Sequence, residues 1–259
     1  MRILLVQPGR WSPDGHVNFS AIETLLAGAP AGDLIVLPEL AGSDLPPGEY
    51  LARVRELAVG AGATVVGGSH YDRTGEGVVN RGVVVDAAGE PLAEYGKLHP
   101  YGVELRGGVV PGRPGDGFEL GGRTLRVLLC ADLWYSGSLS RLPVPDAVLV
   151  PAFSVTQWPT PDPARSLWQH MSVARAYEFM TYVAVSDWHH EADYHGQRCA
   201  GVTGLADPCP AEPSGFFTGT PGPAIAAHTL DFDRLDSFRR NRAERSFGPG
   251  RPLSDAILE

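Results

Sequence analysis

The stretch Thr124-Leu-Arg-Val-Leu-Leu-Cys130-Ala-Asp132 decides how the rest of the chain is read. Residues 124–130 predict a strong strand, and Phe118-Glu-Leu120 with the turn Gly121-Gly122 makes it the second arm of a hairpin. The strand stops at a cysteine, and the composition turns polar at once with Asp132. In an α/β protein the C-terminal edge of a buried strand is where ligand clefts form. A thiol placed there is either a nucleophile facing a cleft or a small buried side chain closing a strand, and this stretch alone leaves both open.

Toward the N-terminus, strands and helices alternate. Residues 2–6 predict a buried strand, 18–29 a helix, and 33–37 a second buried strand that runs into Pro38-Glu39. Leu51, Val54, Leu57 and Ala58 fall near helical spacing within 48–60, after which 63–67 returns to strand composition. From Val78 the pattern changes to a hairpin, with Val83-Val-Val-Asp86, a turn at Gly89 and a return strand over 91–95. Beyond Cys130 come a strand at 147–150, a helix at 165–179 and a strand at 182–186. Weaker strands at 202–206 and 224–230 precede a polar helix over 231–244 with Asp231 as its cap. Alternating units mixed with hairpins predict an α/β fold, with two mixed sheets stacked face to face and helices outside. A chain of 259 residues, 43% hydrophobic and 20% charged, can bury one large core, so a single domain over 1–259 is expected.

Charge and composition exclude several classes of partner. A formal charge of -9 repels nucleic acid and anionic lipid, and the basic cluster Arg239-Arg240-Asn-Arg242 reads as the solvated face of a helix. The opening apolar run stops at Gln7, too short for a signal-peptide core or a membrane span, so a cytoplasmic protein with no membrane partner is expected. Cys130, Cys199 and Cys209 show no CxxC pairing, which argues for free thiols. Cys199 and Cys209 have no base near them in sequence and receive no role.

Three charged residues follow predicted strands as Cys130 does. Glu39, just past Leu34-Ile-Val-Leu37-Pro38, is a general base or an ordinary loop or capping carboxylate. Lys97, in Tyr95-Gly-Lys97-Leu-His99-Pro100, is a fixed positive charge or a solvated lysine. Glu104 follows in a loop containing glycine and proline that can fold a second carboxylate back onto the ammonium.

Together these residues resemble the nitrilase superfamily of carbon-nitrogen hydrolases, whose members carry Glu, Lys, Glu and Cys in this order. The resemblance spans nearly the whole chain. It includes the opening strand with Gln7, Leu37-Pro38-Glu39, Asn80 ahead of a strand, Tyr95-x-Lys97-x-His99, Gly102-x-Glu104 before Pro111-Gly112, and Cys130-x-Asp132. It continues through Trp168 to Tyr182 and the Asp-Pro segment ending at Pro208. It implies an α-β-β-α sandwich, commonly paired as a homodimer, and an amidase-type hydrolase. Cys130 would attack the carbonyl carbon, Glu39 would act as base, Lys97 and the Ala131 N-H would meet the oxyanion, and Glu104 would orient Lys97 or Glu39. The chain departs from many relatives after the nucleophile: Ala131 stands where an aromatic residue is common, and Trp134-Tyr-Ser-Gly137 replaces a Phe-Pro-Glu-like segment.

The expected substrate is a small amide, with nitrile or carbamoyl compounds as alternatives. The same thioester also serves an acyltransferase, and a binding relative without turnover is a further reading. Tyr101, Ala131, Trp134, Phe153 and Trp188, all in loops after strands, are the expected pocket residues. No cofactor and no metal are expected: the His- and Asp-rich residues 187–195 match no metal spacing and read as a polar loop. The glycine-rich residues 106–115 lack the order of a phosphate-binding loop and read as a mobile loop beside the pocket.

Overall fold

Runs such as Ile3-Leu-Leu-Val6 have no polar face, so both sides of the sheet they form must be covered. A computed structural model describes residues 1–75, 77–140 and 143–247. Along the chain come β1 (Arg2–Gln7), α1 (Gly15–Leu26), β2 (Leu34–Val36), α2 (Pro47–Ala61), β3 (Thr64–Val66), β4 (His70–Thr74), β5 (Gly77–Val85) and β6 (Pro91–Gly96). They are followed by α3 (Val103–Arg106), β7 (Val109–Val110), β8 (Phe118–Leu120) and β9 (Arg123–Val127). After a 3-10 turn over Cys130–Trp134 come β10 (Ala147–Pro151), β11 (Val155–Thr156), α4 (Asp162–Phe179), β12 (Tyr182–Ser186), β13 (Asp193–Tyr194) and β14 (Gln197–Cys199). The described chain finishes with β15 (Gly204–Ala206), β16 (Phe217–Gly219), β17 (Ala224–Thr229) and α5 (Phe232–Glu244).

Two mixed sheets form the centre. The first has the order β17-β1-β2-β3-β5-β4, with β6 and β7 also paired to β5, and its β1, β2 and β3 are parallel. The second has the order β16-β15-β12-β10-β9-β8, with β9, β10 and β12 parallel. Alternation along each strand then sets the layers. Ile3, Leu5, Val36 and Val84 of the first sheet pack on Leu125, Val127, Leu149 and Ala184 of the second, forming the core between them. Their neighbours Leu4, Val6, Ile35 and Val85 face outward onto α1 and α2 through Phe19, Ile22, Val54 and Leu57. On the far side, Val148, Val150, Val183 and Val185 pack against α4 through Trp168, Ala176 and Phe179. Four layers result, α-β-β-α, and Phe232 and Leu235 of α5 join the core between the sheets.

Both predicted hairpins form, as β5 with β6 and β8 with β9. Other segments differ from the sequence reading. Helix α1 begins at Gly15, where the Asp14 side chain accepts from the His16 N-H. Strand β4 has no apolar alternation to announce it and forms because β5 offers it five paired positions. A third small sheet, β11-β14-β13, runs through the segment read as a polar loop. Its strands have only two or three residues, too few for a periodic signal. The glycine-rich segment is pinned, not loose: β7 pairs with β5, and Gly112 N-H and Arg113 carbonyl bond Lys97 and Gly96 at 2.7 Å each. Among the described residues, no helix is long and apolar enough to cross a membrane.

Candidate active site

Strands β2, β6, β9 and β10 end at one rim of the sandwich, and each passes directly into a residue of interest. Past β2, the Glu39 N-H donates to the Ala152 carbonyl (3.2 Å) and the Trp188 indole N-H donates to the Glu39 carbonyl (2.7 Å), so this backbone is held from the second sheet. Past β6, the Lys97 N-H bonds the Asn80 carbonyl at 2.9 Å, which fixes where the lysine side chain starts. Its ammonium donates to Glu39 Oε1 at 2.7 Å and to Glu104 Oε2 at 2.5 Å. Glu104 reaches it from the single turn α3, and its Oε2 also accepts the Tyr101 N-H at 2.9 Å. All three charged side chains are buried.

Asn80 completes this group. It is fully buried, and its Nδ2 donates to both carboxylates, to Glu39 Oε1 at 2.9 Å and Glu104 Oε1 at 2.8 Å. The resemblance had included Asn80 without giving it work. A signal was present: within a valine-rich strand, Asn80 shares the inward face with Val84, where a polar side chain needs a partner. Tyr71, which bonds Glu104 Oε1 (3.4 Å) and Tyr194 (3.2 Å) through its hydroxyl, carried no such signal.

Cys130 stands opposite. Its φ of +46 is a left-handed conformation that costs a non-glycine residue on the order of 1 kcal/mol. This sharp elbow ends the extended chain after β9 and begins the 3-10 turn. Two long-range contacts hold it. Asp132, buried, accepts the Leu98 N-H (3.1 Å), the His99 N-H (2.8 Å) and His99 Nδ1 (2.8 Å), tying the elbow to the segment that carries Lys97. Arg175 of α4 donates to the Leu133 and Trp134 carbonyls at 3.4 and 3.2 Å. The Cys130 sulfur lies 3.7 Å from the Phe153 carbonyl and neighbours the Glu39 carboxylate.

The electrostatics favour a resting neutral thiol beside a weakened acid. Burial, reinforced by Glu39, pushes Cys130 well above the ordinary thiol range against the pull of Lys97. Burial likewise pushes Glu39 up to about 7, opposed by Lys97 and assisted by Glu104. For Lys97 burial acts downward, but the neighbouring acidic groups, Glu39 first, then Cys130 and Glu104, outweigh it and hold the ammonium above its ordinary value. The lysine is therefore a fixed charge, and Glu39 sits where a carboxylate can both take and return a proton near neutrality.

A chamber of about 30 Å³ lies among these groups, lined by Glu39, Lys97, Glu104, Cys130, Leu40, Tyr71, Tyr101, Phe153 and Tyr194, with Val103 and Val155. A second space of about 290 Å³ adjoins it, bounded by Cys130, Ala131, Trp134, Phe153 and Trp168 among others. Tyr101, Ala131, Trp134 and Phe153 border these spaces. Trp188 does not: it is fully buried, 5.9 Å from the Phe153 ring, and its indole N-H is spent on the Glu39 backbone. Its place is corrected from pocket wall to support behind the wall. Residues 187–195 are similarly occupied with structure, since Asp187 accepts the Ser154 hydroxyl and the Ser154 and Val202 N-H groups, and Asp193 and Tyr194 form β13. Among the described residues, no three His, Cys, Asp or Glu gather as a metal site.

Comparison with known proteins bears on this geometry. The family model for carbon-nitrogen hydrolases matches residues 2–197. A search of curated proteins finds no match. Among solved structures, the chain is similar to a mutant of the amidase from Nesterenkonia sp. AN1 in which acrylamide has undergone Michael addition at the active-site cysteine. Identity is 25%, coverage is 95% of this chain and 99% of that one, and the TM-score is 0.72. A CN-hydrolase superfamily protein from Xanthomonas campestris, with an arsenic adduct in its active site, shares 22% identity over 98% of this chain and 99% of that one, with a TM-score of 0.79. A branch 10 member of the nitrilase superfamily from Saccharomyces cerevisiae shares 19% identity over 93% of each chain, with a TM-score of 0.78.

Proposed function

Given that the chain belongs to the carbon-nitrogen hydrolase family, we propose that it hydrolyses a small primary amide through an acyl thioester on Cys130, releasing ammonia. One observation carries this reading: the space where Cys130 meets Glu39 and Lys97 measures only about 30 Å³. A single water needs roughly 10–15 Å³ on such a measure, so the chamber has room for a carbonyl oxygen and an amino group but not for a bulky amine. The likeness to an amidase points the same way.

The thiol is neutral at rest, so its proton must leave as it attacks. Glu39 takes that proton while the Cys130 sulfur bonds to the amide carbon and the C=O electron pair moves to oxygen. Lys97 has three ammonium protons and spends two on Glu39 and Glu104, which leaves one for the oxyanion. The Ala131 N-H opens a 3-10 turn, where no intrahelical carbonyl lies behind it, and serves as the second donor. Glu39 then gives its proton to the nitrogen as the C-N bond breaks and ammonia departs. Water enters the vacated space, loses a proton to Glu39 and attacks the thioester carbon. The C-S bond breaks, the thiol regains its proton and the carboxylic acid leaves. Glu104 and Asn80 touch no reacting atom in this scheme; they keep Lys97 charged and Glu39 aimed.

The test is ammonia release from purified protein given primary amides, nitriles and N-carbamoyl compounds, with mass spectrometry for an acyl group on Cys130. Ammonia and carboxylic acid in equal amounts from amides, with the adduct on Cys130, are expected. Turnover confined to nitriles or carbamoyl compounds, or none with any of the three, would overturn the reading.

A further inference from the structure

Within the amide-hydrolase reading, the two adjoining spaces carry information about the rest of the substrate. The inner chamber has volume for the reacting carboxamide and little else, about 30 Å³, and its walls include two carboxylates and an ammonium. Whatever else the acyl group contains must leave it. Tyr101, Cys130, Phe153 and Val155 line both spaces, so the way out from the sulfur leads directly into the antechamber of about 290 Å³.

The antechamber is of a different character. Five of its nine lining residues are aromatic, none is charged, and besides the Cys130 thiol it has the hydroxyls of Tyr101, Tyr135 and Ser154, the last of which is engaged with Asp187. Trp134 and Trp168 meet edge to face at 5.5 Å between ring centres. A dry cavity of roughly 150 Å³ lined by apolar side chains accepts benzene, so a space nearly twice as large takes a ring and a short link to it. Trp134 and Tyr135 remain 37% and 52% exposed, which leaves apolar surface for a ligand to cover. At position 131 only a methyl group contributes to the wall.

We propose that this protein acts on primary amides whose acyl group carries a flat apolar ring, an aryl group joined to the carboxamide by a short link, with Trp134 and Trp168 as the residues that select it. The ring stacks in the antechamber while the carboxamide alone passes Tyr101 and Phe153 into the chamber. Neither tryptophan touches a reacting atom, so both act on preference and not on chemistry. This rests on the hydrolase reading, and its test separates the two.

kcat/KM is measured by ammonia release for acetamide and for phenylacetamide, in the wild-type protein and in Trp134→Ala and Trp134→Phe. Burying a phenyl ring in place of water favours the aryl amide by about a hundredfold. Trp134→Ala lowers that ratio at least about tenfold through loss of aromatic contact, and Trp134→Phe restores most of it. Thermal unfolding confirms that the variants fold, and Trp168→Phe, which keeps a ring in the buried wall, gives a second measure of the ratio. Acetamide turned over as well as phenylacetamide, or a ratio unmoved by Trp134→Ala, would overturn the inference and leave the hydrolase reading standing. Ammonia from neither amide would overturn both.

Discussion

The two sheets bring opposite kinds of order to the rim where they meet. The first supplies Glu39, Asn80, Lys97 and, through the loop after β6, Glu104: buried polar side chains joined to one another by bonds of 2.5–2.9 Å. The second supplies Cys130, whose direction is set by its backbone at φ +46 and whose sulfur lies 3.7 Å from the Phe153 carbonyl and beside the Glu39 carboxylate. On one side position is held by mutual charge, so each member depends on the others. On the other it is held by main-chain geometry, so a neutral thiol can be removed without taking a counter-charge from its neighbours. The proposed chemistry needs both, because a nucleophile bound into an ionic network could not leave it to attack, and a lysine without one could not stay buried.

Two substitutions test whether that contrast is real. Cys130→Ala should lower turnover by about four orders of magnitude or more while changing the unfolding free energy by less than about 1 kcal/mol. Lys97→Ala should lower turnover about a hundred- to a thousandfold, and it should also destabilise the fold by about 3–5 kcal/mol, since Glu39 and Glu104 would be left buried without a counter-charge. Chemical denaturation of both variants beside an ammonia assay decides the matter. Equal stability losses in the two would erase the distinction between the sheets.

The same contrast explains what could be read in the sequence. Glu39 and Cys130 drew notice because each stands just past an apolar run that ends abruptly, Lys97 follows a polar strand and was singled out by the resemblance, and the alternation of strands, helices and hairpins predicted two stacked mixed sheets. What was not legible depends on tertiary pairing. Strand β4 and the small β11-β14-β13 sheet exist through their partners and leave no periodic trace. Trp188 looked like a pocket residue because it follows β12, yet the direction of a side chain after a strand end is set by what accepts its N-H, here the Glu39 carbonyl. Asp132 and Arg175 lie within stretches that carry the resemblance, but their work, holding the elbow to the Lys97 segment and to α4, is visible only once distant segments meet. Asn80 lay between: an inward polar residue on a valine strand states that a partner exists without naming it.

Asn80 also gives the smallest and most discriminating of these effects, on pH. In the proposed scheme Glu39 serves as base only when ionised, and burial raises it from an ordinary 4.5 to about 7. kcat/KM should therefore climb with pH and reach half its plateau near 7, where an exposed glutamate would have placed the midpoint more than two units lower. The Asn80 amide donates to the ionised carboxylate and so favours that form. A hydrogen bond to a charged group contributes about 1.5–3 kcal/mol, and about 1.4 kcal/mol corresponds to one pH unit, so Asn80→Ala should move the midpoint upward by about one to two units. An unmoved midpoint with a lower plateau would reduce Asn80 to packing. Stability runs the other way, because a carboxyl whose pKa is raised on folding helps the folded state most when protonated. That contribution is complete below about 4.5 and gone above about 7. The pH range in which Glu39 would act as base is thus the range in which it stabilises the fold least, and Lys97 and Asn80, against the repulsion of Glu104, let the protein keep an ionised Glu39 buried there.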